Sequence, residues 1–319
     1  HASNLYYTKP CAELAKKLCE KTGMKKVFFG NSGAEANECA IKVARKYAQD
    51  KKGPEYFNII TLVNSFHGRT ITTLAATGQD VFHKSFQPLT TGFLYANAND
   101  LESVKHLVMN NKVAGIMFEC VQGEGGVLPL NDDFIKGIEQ ICKDEDILMI
   151  VDEVQTGNGR TGQMYAYMNF GVNPDIVTTA KGLGGGLPIG ACLMSEKVQN
   201  VLNFGDHGST FGGNPVACAG ACSIIDRIND KLLSDVKAKS EYVFKTLSNS
   251  EGIESVTGLG LMIGVKTIKP AKEVVLKCME RGVIFLTAKD KVRLLPALNI
   301  KDEDLKKAID VLMQVAKEG

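Results

Sequence analysis

The stretch Asp175-Ile176-Val177-Thr178-Thr179-Ala180-Lys181-Gly182-Leu183-Gly184-Gly185-Gly186-Leu187-Pro188-Ile189-Gly190 decides how the rest of the chain reads. Ile176 to Thr179 is a β-branched run with the composition of a buried strand. It ends in one lysine, and the glycines that follow are too dense for a helix. Without Cβ atoms, backbone around Lys181 can approach a flat or anionic ligand closely. The plainer alternative is a solvated lysine in a slack loop, and this stretch alone does not separate the two.

The segments before it place further polar groups at strand ends. Val27 to Phe29 predicts a strand, followed by Gly30-Asn31-Ser32-Gly33-Ala34-Glu35-Ala36-Asn37. Ser32 and Glu35 have the S-x-x-E spacing of a capping box, opening a helix that runs to about Gln49. The N–H groups of Gly33 and Ala34 at that positive helix end, beside the Ser32 hydroxyl, suit an anion such as a phosphate. A plain N-cap is the competing reading, and the glycine on each side favours the ligand. A strand over 58–64 delivers Ser65-Phe66-His67-Gly68-Arg69-Thr70, where Phe66 and His67 could stack on a ring and Arg69 could grip a carboxylate. The alternative there is an aromatic plug and a surface arginine. A strand over 115–119 leads into Glu119-Cys120-Val121-Gln122-Gly123-Glu124-Gly125-Gly126. Ile147 to Val151 runs straight into Asp152, with Gln155 just beyond, as a buried parallel strand does.

Helices and strands therefore alternate, which predicts an open α/β sheet, and such sheets bind ligands outside the carboxyl ends of their strands. Lys181, Asp152, Glu119 and Arg69 all fall on that edge. Gly157-Asn158-Gly159-Arg160-Thr161-Gly162 also matches the dinucleotide fingerprint G-x-G-x-x-G. The polar, aromatic segment behind it soon reaches Gly171 and Pro174, leaving little room for a crossover helix, so a nicotinamide oxidoreductase is set aside. Asp206 to Pro215 is a second glycine-rich stretch, with Ser209 and Thr210 offering hydroxyls to an anion. An Ala-rich helix over 215–228 follows. Beyond it, Lys- and Glu-rich helices (231–248, 270–281, 302–317) alternate with short strands (260–265, 283–286, 292–295), the pattern of a smaller α+β domain. Arg293 is a charge inside one of these apolar strands and needs a partner, either a substrate carboxylate or an acid from the first domain.

Composition narrows the partners. The 319 residues suit about two domains. Lys plus Arg total 37 against 36 Asp plus Glu, so neither sign dominates and nonspecific binding to nucleic acid or membrane is not expected. No apolar run has membrane-spanning length, and the first residues lack the pattern of a signal peptide. Nine scattered cysteines without a C-x-x-C pair suit reduced thiols in a cytoplasm, and the five histidines show no metal-ligand spacing, so no metal is expected.

Taken together, Asn31 to Asn37, Phe66 to Thr70, Gln122 to Gly126, Asp152 to Gly162, Thr178 to Gly186 and His207 to Pro215 resemble, in order and along the whole chain, the class III pyridoxal-phosphate aminotransferases. The resemblance implies the fold type I architecture: a large α/β/α domain around a mostly parallel seven-stranded sheet, and a small α+β C-terminal domain. It divides the chain into 1–8, 9–224 and 225–319, the first being the remnant of an N-terminal segment. Family members usually carry several dozen further residues before Ser3, which implies a fragment. Cys120 stands where a proline is common.

The implied cofactor is pyridoxal 5′-phosphate, held by Lys181 as a Schiff base. Asp152 would face the ring nitrogen and Gln155 the ring oxygen, with Phe66 stacked on the ring. His67 and Glu119 would lie in support. Ser32, Gly33 and Ala34 would bind the phosphate. Ser209 and Thr210 would also serve the cofactor, the counterpart of Thr210 reaching the neighbouring subunit's phosphate in relatives, so a homodimer with shared sites is implied. Arg69 and Arg293 would bind substrate carboxylates, and Glu124 would neutralise Arg293 and swing away when a dicarboxylate enters. The implied reaction is transamination between N-acetylornithine and 2-oxoglutarate, with succinylornithine, ornithine and 4-aminobutyrate as rival donors. A noncatalytic binding protein on the same fold is the remaining alternative.

Overall fold

Seven apolar runs pair into one sheet in the order Lys26–Gly30, Gly190–Met194, Ile176–Thr179, Leu148–Asp152, Val113–Phe118, Asn58–Leu62 and Phe93–Ala96. A computed structural model of the chain describes residues 1–318. The last five strands in that order are mutually parallel, and Gly190–Met194 is antiparallel to both its neighbours. Parallel strands are covered on both faces, and every residue of Val113–Phe118 and Leu148–Asp152 is buried.

Successive side chains divide between two cores, as the strand period requires. Ile60, Leu62, Ile116, Phe118, Met149 and Val151 face one core, shared with the helices Lys9–Thr22, Asp132–Asp144 and Pro215–Arg227. Ile59, Met117, Leu148 and Ile150 face the other, covered by the helix Gly33–Lys52. The small buried residues Ala36, Ala40, Ala44 and Ala48 let that helix lie close to the sheet and aim its first turn at the strand ends.

The second sheet is antiparallel, in the order Ile253–Leu259, Met262–Thr267, Lys291–Leu294 and Leu286–Ala288. Helices Asp230–Leu247, Ala271–Glu280 and Asp302–Lys317 share its core. Two expectations change here. The strand expected over 260–265 begins at Met262, because Gly260 (φ +60°) turns the chain back from Ile253–Leu259, a strand the sequence reading missed. The strand expected over 283–286 is Leu286–Ala288, since Val283 still donates its N–H to the helix carbonyl of Cys278 (3.0 Å). The expected boundary at 224/225 falls within the Pro215–Arg227 helix, and Ile225, Ile228, Leu232 and Leu233 pack against the large core. Gly319, the end of the expected small domain, lies outside the described residues.

Among the described residues no helix is long and apolar enough to cross a membrane.

Candidate active site

Polar residues that follow the strands Asn58–Leu62, Val113–Phe118, Leu148–Asp152 and Ile176–Thr179 arrive at the same edge. The first turn of the Gly33–Lys52 helix meets them there, enclosing a cleft of about 590 Å³. Its walls bring together Ser32, Gly33, Ala34, Phe66, His67, Arg69, Glu119, Asp152, Gln155 and Lys181. Lys181 opens a short 3₁₀ turn at φ +46° and is exposed to the cleft. A non-glycine residue in that backbone region is held there against its preference, by surroundings that over-determine it.

Asp152 ends the Leu148–Asp152 strand and is 3% exposed. Its Oδ2 accepts hydrogen bonds from Asn37 Nδ2 (2.8 Å) and lies 2.8 Å from His67 Nδ1, while Oδ1 accepts from the Val154 N–H (2.9 Å). Several donors on one carboxylate fix its orientation. Sequence reading missed Asn37, which also donates to the His67 carbonyl (2.7 Å). The signal was available: a polar residue on the Ala-rich buried stripe of a helix.

Glu119 is buried beside this group. It accepts from the Phe66 N–H (2.9 Å) and the Gly123 N–H (3.3 Å), tying two loops of the cleft together. Desolvation pushes its pKa up to about 7, with His67 pulling down and Asp152 pushing up. The neighbouring Glu153 is also fully buried. Its desolvation outweighs hydrogen bonds from Thr156 Oγ1 (2.6 Å) and the Tyr167 N–H (2.8 Å) and raises its pKa to about 7. An unfolded glutamate titrates near about 4.3, so the native state keeps a proton that the unfolded chain has released. This contribution is fully present below the unfolded value and is lost as pH rises through about 7. Urea midpoints should show Glu153→Gln losing less stability than the parent between about pH 5 and 8, by on the order of 2 kcal/mol.

One expectation about the site is corrected. Ser32 caps the Glu35 N–H (3.2 Å), but the Glu35 carboxylate reaches past Ser32 to the N–H and side chain of Asn31, so the box closes one residue early. The Gly33 and Ala34 N–H groups precede the first intrahelical bonds and have no acceptor within the helix. Ser209 and Thr210 do not line this cleft. The Ser209 hydroxyl holds its own turn, accepting from the Gly212 N–H (3.0 Å) and from Asn31 Nδ2 (3.1 Å), and Thr210 is exposed. Arg293 and Glu124 are also absent from the cleft wall and pair with each other at 2.6 Å, Arg293 being 8% exposed. Arg69 has no carboxylate partner among the described residues, and its guanidinium lies over Phe66 (5.6 Å) and Phe82 (4.9 Å).

The wall is shaped for a polar ring carrying an anion. Asn37 Oδ1, His67 Nε2 and one end of the Gln155 amide are buried without a partner among the described residues, a cost that a polar ligand relieves. A Cβ on Gly33 would meet the Val154 side chain at 2.7 Å, so the helix end can sit this close only as glycine. A free amine, a clamped carboxylate and an anion seat lining one cleft are what an enzyme of the pyridoxal-phosphate class requires.

The chain belongs to the class III aminotransferases, whose family model matches residues 1–316. It is 53% identical over 320 residues to the acetylornithine aminotransferase of Haemophilus ducreyi, covering 100% of this chain and 81% of that protein. It is 44% identical to the succinylornithine transaminase of Salmonella agona, covering 97% of this chain and 78% of that one. Among solved structures, an ornithine aminotransferase from Toxoplasma gondii superposes with a TM-score of 0.94 at 31% identity, covering 99% of this chain and 78% of that one.

Proposed function

We propose that the protein transfers the terminal amine of N-acetylornithine to 2-oxoglutarate, giving N-acetylglutamate semialdehyde and glutamate. Pyridoxal 5′-phosphate, when bound, supplies the carbonyl that receives the amine and the ring that draws electrons from the reacting carbon. The residues divide the remaining work. The Gly33 and Ala34 N–H groups and the Ser32 hydroxyl would hold the phosphate at the positive helix end. Asp152, oriented by Asn37 and His67, would keep the ring nitrogen protonated, Gln155 would bind the ring oxygen and Phe66 would cover a face. Lys181 Nζ would hold the cofactor and would be the base that moves the proton of the donor's amine-bearing carbon.

The ion pair between Arg293 and Glu124 carries the substrate reading. N-acetylornithine brings one carboxylate, at the end remote from its reacting amine, where Arg69 is free to take it. An unpaired Arg293 would then be an expensive buried charge, which Glu124 neutralises. 2-Oxoglutarate has a carboxylate at each end; Glu124 swings aside and Arg293 takes the carboxylate nearest the ring. Arg293→Ala should raise KM for 2-oxoglutarate about 30–100-fold, while the single-turnover rate with N-acetylornithine changes little. Equal damage to both half-reactions would contradict this division. Succinylornithine, which differs only in its acyl group, is the second reading, supported by the 44% identity to a succinylornithine transaminase.

We also infer a cytoplasmic homodimer. Leu5, Tyr6, Tyr7, Phe204, Phe211 and Val216 are exposed apolar or aromatic side chains that a second copy would cover. Thr210, exposed beside Phe211, would reach the phosphate in the partner's cleft. All nine cysteines are free thiols, consistent with a reducing compartment.

A further inference from the structure

We propose that Arg160 is a positioning residue that fixes Arg293 at its working distance from Lys181, and so sets how well the site takes a dicarboxylate. This rests on Arg293 being the group that receives the acceptor's carboxylate.

Arg160 sits in the Gly157–Gly162 stretch whose glycines mimic a dinucleotide fingerprint. In the structure that stretch is a set of tight turns joining the two sheets. Arg160 Nη1 donates to the carbonyls of Pro296 (2.6 Å) and Leu261 (3.1 Å), and its own carbonyl accepts from the Leu261 N–H (2.9 Å). Both anchor points belong to the small sheet's frame around Arg293. Pro296 lies three residues beyond Arg293 on the same segment. Leu261 is in the turn before Gly264, the residue paired with Arg293 across the sheet. The approach is close: a Cβ on Gly260 would fall 2.5 Å from the Arg160 carbonyl oxygen.

The other end of the same loop holds the chemistry. Asn158 Nδ2 donates to Thr179 Oγ1 (2.9 Å) and to the Ala180 carbonyl (3.2 Å), immediately before Lys181. Gln155 lines the cleft, and the Gly157 and Arg160 N–H groups close turns onto Glu153 (3.0 Å) and Gly157 (3.3 Å). One short run of backbone thus ties the lysine's strand end to the arginine's strand.

The choice of side chain fits this role. Among the described residues no carboxylate pairs with Arg160, and burial lowers its pKa only to about 10, so it stays charged at neutral pH. A largely buried cation satisfied only by carbonyls is a rigid strut whose planar head fixes direction as well as distance. The amino donor needs only groups of the large domain, Arg69 and Lys181. The dicarboxylate also needs Arg293 placed beside the reacting carbon at Lys181, so it alone depends on the strut.

Two variants test this, Arg160→Met and Arg160→Lys, in the cofactor-loaded enzyme. Arg160→Met should raise KM for 2-oxoglutarate about tenfold or more, while the single-turnover rate with N-acetylornithine and the visible absorbance of the lysine-linked cofactor stay within about twofold. Arg160→Lys keeps the charge without the planar head and should show the same split at smaller amplitude, including where Arg160→Met gives no soluble protein. Equal loss in both half-reactions, no change in either, or failure of both variants to fold would overturn the inference. Arg293→Ala, run alongside, reads the underlying assignment separately. If it leaves the 2-oxoglutarate step unchanged, the reading of Arg293 itself fails, whatever Arg160 does.

Discussion

Lys181→Ala should reduce kcat by at least about 10⁴-fold, because it removes both the covalent anchor and the group that moves the substrate proton. The fold should survive. Lys181 is exposed to the cleft and makes no side-chain hydrogen bond among the described residues, and alanine can be held at the same φ of +46° by the surrounding turn. Cofactor should still bind, since the helix end at Ser32 to Ala34, Asp152 and Gln155 are untouched. It should no longer be trapped on the protein by borohydride reduction. Added small primary amines should restore a measurable part of the rate, because the missing function is a base of ordinary size in a cleft open enough to admit one. An unaltered rate, or a cofactor still trapped by reduction, would mean that another lysine does this work.

Asp152→Asn should lower kcat by roughly 10³-fold and weaken cofactor retention. The substitution preserves volume and reverses half of the hydrogen bonding. Asn37 Nδ2 donates to Oδ2, with His67 Nδ1 at the same atom, and the Val154 N–H donates to Oδ1, so an amide placed there confronts one of these groups with its own NH₂. The lost charge matters more, since only a carboxylate holds the ring nitrogen protonated. A second consequence separates charge from shape. Burial is the main cause of the raised Glu119 pKa, with the Asp152 charge contributing. Glu119 should therefore titrate lower in Asp152→Asn, which carboxyl chemical shifts or the pH dependence of half-reaction rates can follow. Full activity in the variant would place the proton-holding group elsewhere.

Much of the fold was readable from local sequence because each parallel strand is an apolar run ending in a polar residue. Ile147 to Asp152 and Ile176 to Lys181 announce both the strand and the edge on which chemistry gathers. What escaped depends on partners remote in sequence. Ile253–Leu259 carries Glu254 and Ser255 on an outer strand of the small sheet and has no unbroken apolar run. Asn37 orients Asp152 across 115 residues, and nothing near it in the chain names that partner. Arg160 was read within a weak nucleotide motif, and its use is visible only once Leu261 and Pro296 are folded onto it. The Ser32 cap was readable, but the turn at Asn31 that draws Glu35 one residue further back depends on contact with Ser209.

The central claim is that one lysine-centred cleft accepts a single-carboxylate ω-amine and then a dicarboxylate. Initial rates of glutamate formation, measured over a grid of N-acetylornithine and 2-oxoglutarate concentrations, test it most directly. The account predicts parallel double-reciprocal lines, with kcat/KM for N-acetylornithine well above that for ornithine. Intersecting lines, or no glutamate formed from N-acetylornithine, would contradict it.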